Sequence, residues 1–134
     1  MSCIKPTKKK IVFKENRRSA IFENAAGKQF SEALVDGCLI TDKRERCDFF
    51  LRSDDTIWLI ELKGRDVEKA VSQIVSTSKH LNAEVDGREI VPVIVATSCP
   101  AISGQQKCMK RLSGLQGKFS GKIVLRTRIA KICV

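Results

Sequence analysis

The chain has 134 residues, a length that fits one domain of ordinary size. Hydrophobic residues make up 43% and aromatic ones only 5%, so Val, Ile, Leu and Ala must fill the core. A formal net charge of +10 favours a polyanionic partner. No basic amphipathic helix with a broad apolar face points to a membrane surface instead.

Met1 to Lys9 is polar and basic, with no apolar signal core, and is expected as a loose arm. Lys10 to Lys14 has the alternation of a short strand, and Ser19 to Glu23 is a second candidate. Asn24 to Gly27 makes a turn. Residues 29–35 are expected as a strand, although Phe30, Ala33 and Leu34 would also suit a helix. Asp36 and Gly37 then turn the chain.

Arg46 to Arg52 reads as a strand, Ser53 to Thr56 as a turn cluster, and Ile57 to Lys63 as a strongly apolar strand stopped by Gly64. Together they predict a hairpin with a four-residue loop. Asp66 suits a helix N-cap, and behind it Val67, Ala70, Val71, Ile74, Ser78 and Leu81 recur at helical spacing. Ile90 to Thr97 is a further buried strand, which completes a right-handed βαβ crossover. Ser103 to Leu115 can form a second helix, and Lys122 to Arg128 closes with a strand. The expected fold class is α/β, a mixed central β-sheet flanked by helices, in a single domain spanning 1–134.

Six cysteines (Cys3, Cys38, Cys47, Cys99, Cys108, Cys133) show no C-x-x-C pair, and His80 is the single histidine. That excludes a recognisable zinc motif. A chain of this length can build a core without staples, so reduced thiols in a cytoplasmic protein are expected.

The chemistry concentrates on the predicted hairpin. Pairing Arg52 with Ile57 across the loop brings Asp48 directly opposite Glu61. Opposed residues share a sheet face with Cβ atoms about 4.5–5.5 Å apart. Lys63, two residues beyond Glu61, falls on that face as well. Neighbouring carboxylates repel, and a hard divalent cation such as Mg²⁺ or Mn²⁺ would balance them. Such an ion neutralises charge on a scissile phosphate and acidifies a bound water. A lysine beside it can orient that water or stabilise the transition state. A solvated Glu-x-Lys strand edge or a salt-bridge network is the bland reading of the same residues. A bulge in the hairpin would shift the register.

The stretch Cys47-Asp48-Phe-Phe-Leu, followed by Leu59-Ile-Glu61-Leu-Lys63-Gly64 and a helix with Gln73, resembles the PD-(D/E)XK nuclease superfamily. The likeness covers residues 36–97 and is closest over 47–75. It implies a restriction-endonuclease-like core, a mixed sheet with a helix on each side. It also implies Mg²⁺ held by Asp48 and Glu61, with Lys63 assisting the attacking water and Gln73 reaching a metal water or a phosphate. By the same resemblance the chain is a metal-dependent nuclease acting on DNA rather than RNA. A non-catalytic nucleic-acid-binding module of the same fold is the alternative. Cys47 stands where the motif has its proline, and no N-terminal helix with an additional acid is found. Glu23, Glu32 and Asp36 are the candidates for a third carboxylate; without one, a single metal fits better than two.

Lys8, Lys9, Lys10, Lys14, Arg17 and Arg18 form a basic segment that could grip phosphates. Lys107, Lys110, Arg111, Lys118, Lys122, Arg126 and Arg128 form another. Trp58 alternates away from Glu61 and is expected in the core, and His80 falls on the polar side of its helix. A homodimer is the arrangement by which so small a chain would act on two strands.

Overall fold

The computed structural model describes residues 2–64, 66–97, 106–107, 110–112, 119 and 121–134, without the side chains of Lys63 and Gly64. It is a mixed α/β fold, mostly β. The strands in chain order are β1 (Ile4–Thr7), β2 (Ile11–Glu15), β3 (Arg18–Glu23), β4 (Phe30–Leu34), β5 (Phe49–Arg52), β6 (Thr56–Gly64), β7 (Glu89–Ala96), β8 (Val124–Thr127) and β9 (Ile129–Cys133). Helix α1 (Val67–His80) and the short α2 (Asn82–Val85) lie between β6 and β7.

Six strands form the main sheet in the order β1-β4-β5-β6-β7-β8, and β2-β3-β9 form a second sheet. The expected hairpin register holds from the Arg52–Ile57 pair to the Phe49–Ile60 pair, where β5 begins, three residues later than expected. Strands β6, β7 and β8 run parallel, the first two joined by the α1 crossover.

Two apolar layers follow from strand alternation. On one face, Phe50, Ile57 and Leu59 pack with Val67, Ala70, Val71 and Ile74 of α1. On the other, Leu51, Ile60, Leu62 and Val93 pack with Phe13, Ala20, Phe22 and Ala130 of the second sheet. Trp58 lies on this second side, against Phe22 and Phe30, as its alternation predicts. Helix α1 opens at Asp66, whose side chain accepts the Lys69 N–H at 3.2 Å, as expected of an N-cap.

Four expectations change. The flanking layers are not both helical: α1 covers one face, and a three-stranded sheet covers the other. That sheet exists because β9, which the sequence reading left out, pairs in parallel with β3. The loose arm contains β1, whose Ile4 to Thr7 pair with Ala33 to Phe30 at the sheet edge. The thiols are not all reduced: Cys3 and Cys38 form a disulfide, with Cα atoms 5.7 Å apart. The β1–β4 pairing sets Cys3 beside the end of β4. The following turn folds back through Cys38 and Ile40 N–H bonds to the Val35 carbonyl, which brings Cys38 to meet it. A reducing compartment therefore no longer follows from free thiols. Among the described residues no helix is long and apolar enough to cross a membrane. The expected helix over 103–115 falls largely outside the described residues; residues 106–107 and 110–112 are helical, and Leu112 is buried against the α1 layer.

Candidate active site

The ends of the strands define the two ends of the main sheet. Gly64, Ala96 and Thr127 close the parallel strands at the same end where antiparallel β5 begins at Phe49. Asp48 sits just before β5. Its N–H donates to the Ile60 carbonyl at 3.0 Å, one residue out of the β5–β6 register, in which Ile60 is the partner of Phe49. Asp48 and Phe49 share Ile60 as in a β-bulge, so the ladder does not set Asp48 directly opposite Glu61 as the sequence predicts. Both carboxylates are buried, Asp48 at 3% exposure and Glu61 at 1%. Glu61 follows Ile57 and Leu59 in alternation and so lies on the face that α1 covers, where Cys47 also packs.

Several bonds fix Asp48. Its Oδ2 accepts the Leu62 N–H at 2.8 Å, and its carbonyl accepts the N–H groups of Val35 and Asp36 at 2.9 and 3.2 Å. The chain before it is tied to the helix: the Cys47 N–H donates to Thr77 Oγ1 at 2.8 Å, and the Thr77 hydroxyl donates to the Gln73 carbonyl at 2.7 Å. Thr77 is fully buried, so the α1 flank that carries Gln73 and Thr77 lies against the chain leading into Asp48. Gln73 itself is half-buried.

The Cys47 thiol senses both acids. Burial pushes it up to about 12, partly offset by a hydrogen bond to Thr77, and the charges of Glu61 and Asp48 raise it further. It is therefore a neutral, packed thiol where the nuclease motif has proline, and its S–H points to the Phe49 carbonyl at 3.5 Å. Two buried acids whose charges act on the same thiol favour a cation placed near them.

Lys63 lies within β6, one residue before its end, and its side chain is outside the described residues. The β6–β7 register shifts between Glu61 and Gly64, a β-bulge-like irregularity beside Lys63. A second irregularity lies within the hairpin, where Asp48 is shifted by one residue against β6, so the direct Asp48–Glu61 opposition expected from the register is not kept.

The three candidate third acids do not join the pair. Glu23 ends β3 and faces Lys10 at 4.0 Å, and Glu32 faces Lys5 at 3.6 Å. Asp36 accepts from Arg46 Nε at 2.9 Å. Among the described residues no group of three or more His, Cys, Asp or Glu is placed to hold a metal. Two carboxylates suit Mg²⁺ nonetheless, since that ion keeps several waters and takes one or two protein carboxylates plus phosphate oxygens.

The basic segment divides. Lys8, Lys9 and Lys10 are exposed between β1 and β2, at the end of the sheets far from Asp48, where Asn24 Nδ2 donates to the Lys8 carbonyl. Lys14 is exposed on β2, near the turn end of the strand, while Arg17 and Arg18 lie at the β2–β3 turn. Arg18 Nη2 donates to Thr97 Oγ1 at 2.6 Å, which places that turn at the carboxylate end. His80 is exposed and shares a 2.8 Å hydrogen bond with Arg44. Thr77 was the residue that sequence reasoning missed; its signal was its position one helical turn beyond Gln73 on the same flank. No family model, curated protein or solved structure matches the chain.

Proposed function

We propose that the chain is a metal-dependent nuclease with a restriction-endonuclease-like core, hydrolysing phosphodiester bonds of nucleic acid, DNA in preference to RNA. One observation carries the reading: Asp48 and Glu61 are both buried beside the Cys47 thiol, and Asp48 Oδ2 is held by the N–H of Leu62, the residue after Glu61, on a hairpin whose second strand continues into Lys63. An isolated Glu-x-Lys has no such partner strand. The following α1, with Gln73 one turn from the Thr77 that contacts Cys47, adds to it.

In this reading Asp48 and Glu61 would hold Mg²⁺ or Mn²⁺. The ion, when bound, supplies charge neutralisation at the scissile phosphate and a more acidic water. The Leu62 N–H on Asp48 Oδ2 keeps that carboxylate from turning away. The Thr77 and Val35 bonds hold the backbone of residues 47–48 in place, so the carboxylates need little reorganisation as charge develops. Lys63 would orient the attacking water or offset charge on the phosphate, and Gln73 would contact a water or phosphate oxygen over the same face.

Burial of both carboxylates favours a second reading, in which the acids are internal and the fold binds nucleic acid without cutting it. Metal dependence separates the two. Purified protein is incubated with plasmid DNA with Mg²⁺ or with EDTA. The nuclease cuts only with the metal, whereas a binding module retards DNA in a gel in either buffer and leaves it intact.

A further inference from the structure

We propose that the corner formed by the β2–β3 turn and the β8–β9 junction, carrying Arg17, Arg18, Arg126 and Arg128, is a docking surface for a nucleic-acid phosphate backbone leading to the Asp48–Glu61 end of the sheet. Its link to catalysis rests on the nuclease reading.

Three contacts assemble the corner. Arg18 Nη2 donates to Thr97 Oγ1 just beyond β7, the Arg128 N–H donates to the Ala96 carbonyl at 3.1 Å, and the Ser19 N–H donates to the Arg128 carbonyl at 3.0 Å. Strand β7 is the immediate neighbour of β6, and β8 is the next strand out. Neighbouring strands are about 4.8 Å apart, so the corner begins roughly 5–10 Å from the end of β6. A nucleic-acid strand advances about 3.4 Å per nucleotide along the duplex axis, so that span covers about two to three nucleotides. Glu61 lies on the α1 face and the β2–β3 turn comes from the opposite face. A backbone crossing the strand ends would touch both.

Backbone conformation supplies an independent argument. Among the described residues the non-glycine positions with positive φ are Asn16 (45°), Arg17 (65°) and Arg128 (68°), all in this corner. A two-residue hairpin turn with both central φ values positive is best served by Asn-Gly, and a left-handed junction by Gly. Arginine at 17 and 128 works against that preference, and backbone strain of this kind gathers at functional sites. Arg17, Arg126 and Arg128 are exposed and form no ion pair among the described residues. The acid nearest the turn is Glu15, the cross-strand neighbour of Arg18. Lys8 to Lys10 lie at the opposite end and take no part.

The test is fluorescence anisotropy of the full chain with a labelled duplex DNA in EDTA, where nothing is cut, across a NaCl titration. Arg17→Gly/Arg128→Gly replaces both strained arginines by the residue the backbone prefers, so its melting temperature should match or exceed that of the parent. Its slope of log K against log salt should shrink by about 1.8, the value for two lost phosphate contacts, with affinity down at least tenfold at low salt. Lys8→Ala/Lys9→Ala should change affinity much less. An unchanged slope in the arginine variant, an equal loss in the lysine variant, no binding by the parent, or poly-glutamate competing as well as DNA would each overturn the docking surface. Cleavage of plasmid by the parent with Mg²⁺ is scored separately. Lost binding in the arginine variant beside a parent that never cuts keeps the docking surface and removes the nuclease. A parent that cuts beside a variant that binds normally removes the docking surface alone.

Discussion

The Leu62 N–H donates to Asp48 Oδ2 at 2.8 Å and so holds the Asp48 carboxylate against β6 at the residue next to Glu61. If the pair holds a metal, Asp48→Asn and Glu61→Gln should each lower Mg²⁺-dependent cleavage at least about 100-fold, since even supporting residues around a metal are worth 10–100-fold. The shapes are conserved in these variants, so their melting temperatures should stay at or above that of the parent. Single-turnover cleavage with Mg²⁺ and Mn²⁺, alongside thermal melting, measures both.

Thr77 binds the strand to the helix through the Cys47 N–H at 2.8 Å. Thr77→Val keeps the volume and leaves that buried N–H without its acceptor. It should cost about 1–3 kcal/mol in denaturant unfolding, whereas Thr77→Ser should restore most of the loss. Equal stability of the Val variant would mean that the hydroxyl does not anchor the strand.

The Cys47 thiol, raised to about 12 by burial, should resist alkylation by iodoacetamide in the folded protein at pH 8 while Cys133, which is exposed, reacts. Its effect on stability has a definite sign. The folded state keeps the proton that the unfolded state releases near its ordinary value of 9.0. The stabilisation is thus complete below pH 9.0 and declines as pH rises toward about 12. Cys47→Ala should flatten that part of the stability–pH curve.

The Cys3–Cys38 disulfide spans 35 positions and ties edge strand β1 to the turn whose Val35 and Asp36 N–H groups bind the Asp48 carbonyl. Its removal by Cys3→Ser/Cys38→Ser should lower stability by about 2–4 kcal/mol. Chemical denaturation of the double variant against the oxidised parent tests this.

The hairpin and its register were legible as far as Phe49–Ile60 because both strands are apolar, the Ser53–Thr56 turn cluster fixes the loop, and one pairing determines the next until a bulge intervenes. Helix α1 was legible from its spacing and the Asp66 cap. Strand β1 was not: Ile4 to Thr7 is an exposed edge with no alternation, held by pairing to β4. The second sheet was hidden for a similar reason, since β9 joins β3 across more than a hundred positions and no local pattern encodes that contact. Six cysteines allow many pairings, and only the fold of β1 against β4 selects Cys3 with Cys38. In the site, the direct opposition of Asp48 and Glu61 read from the register does not survive the one-residue shift at Asp48, and Thr77 and the arginine corner depend on how layers pack.

Plasmid DNA incubated with the parent chain and with Glu61→Gln, each with Mg²⁺ and with EDTA, addresses the carboxylate pair most directly. The expected result is nicked or linear DNA from the parent with Mg²⁺ and intact DNA in the other three reactions. Equal cutting by both proteins, or intact DNA from a folded parent with Mg²⁺ and with Mn²⁺, would contradict a hydrolytic role for Asp48 and Glu61.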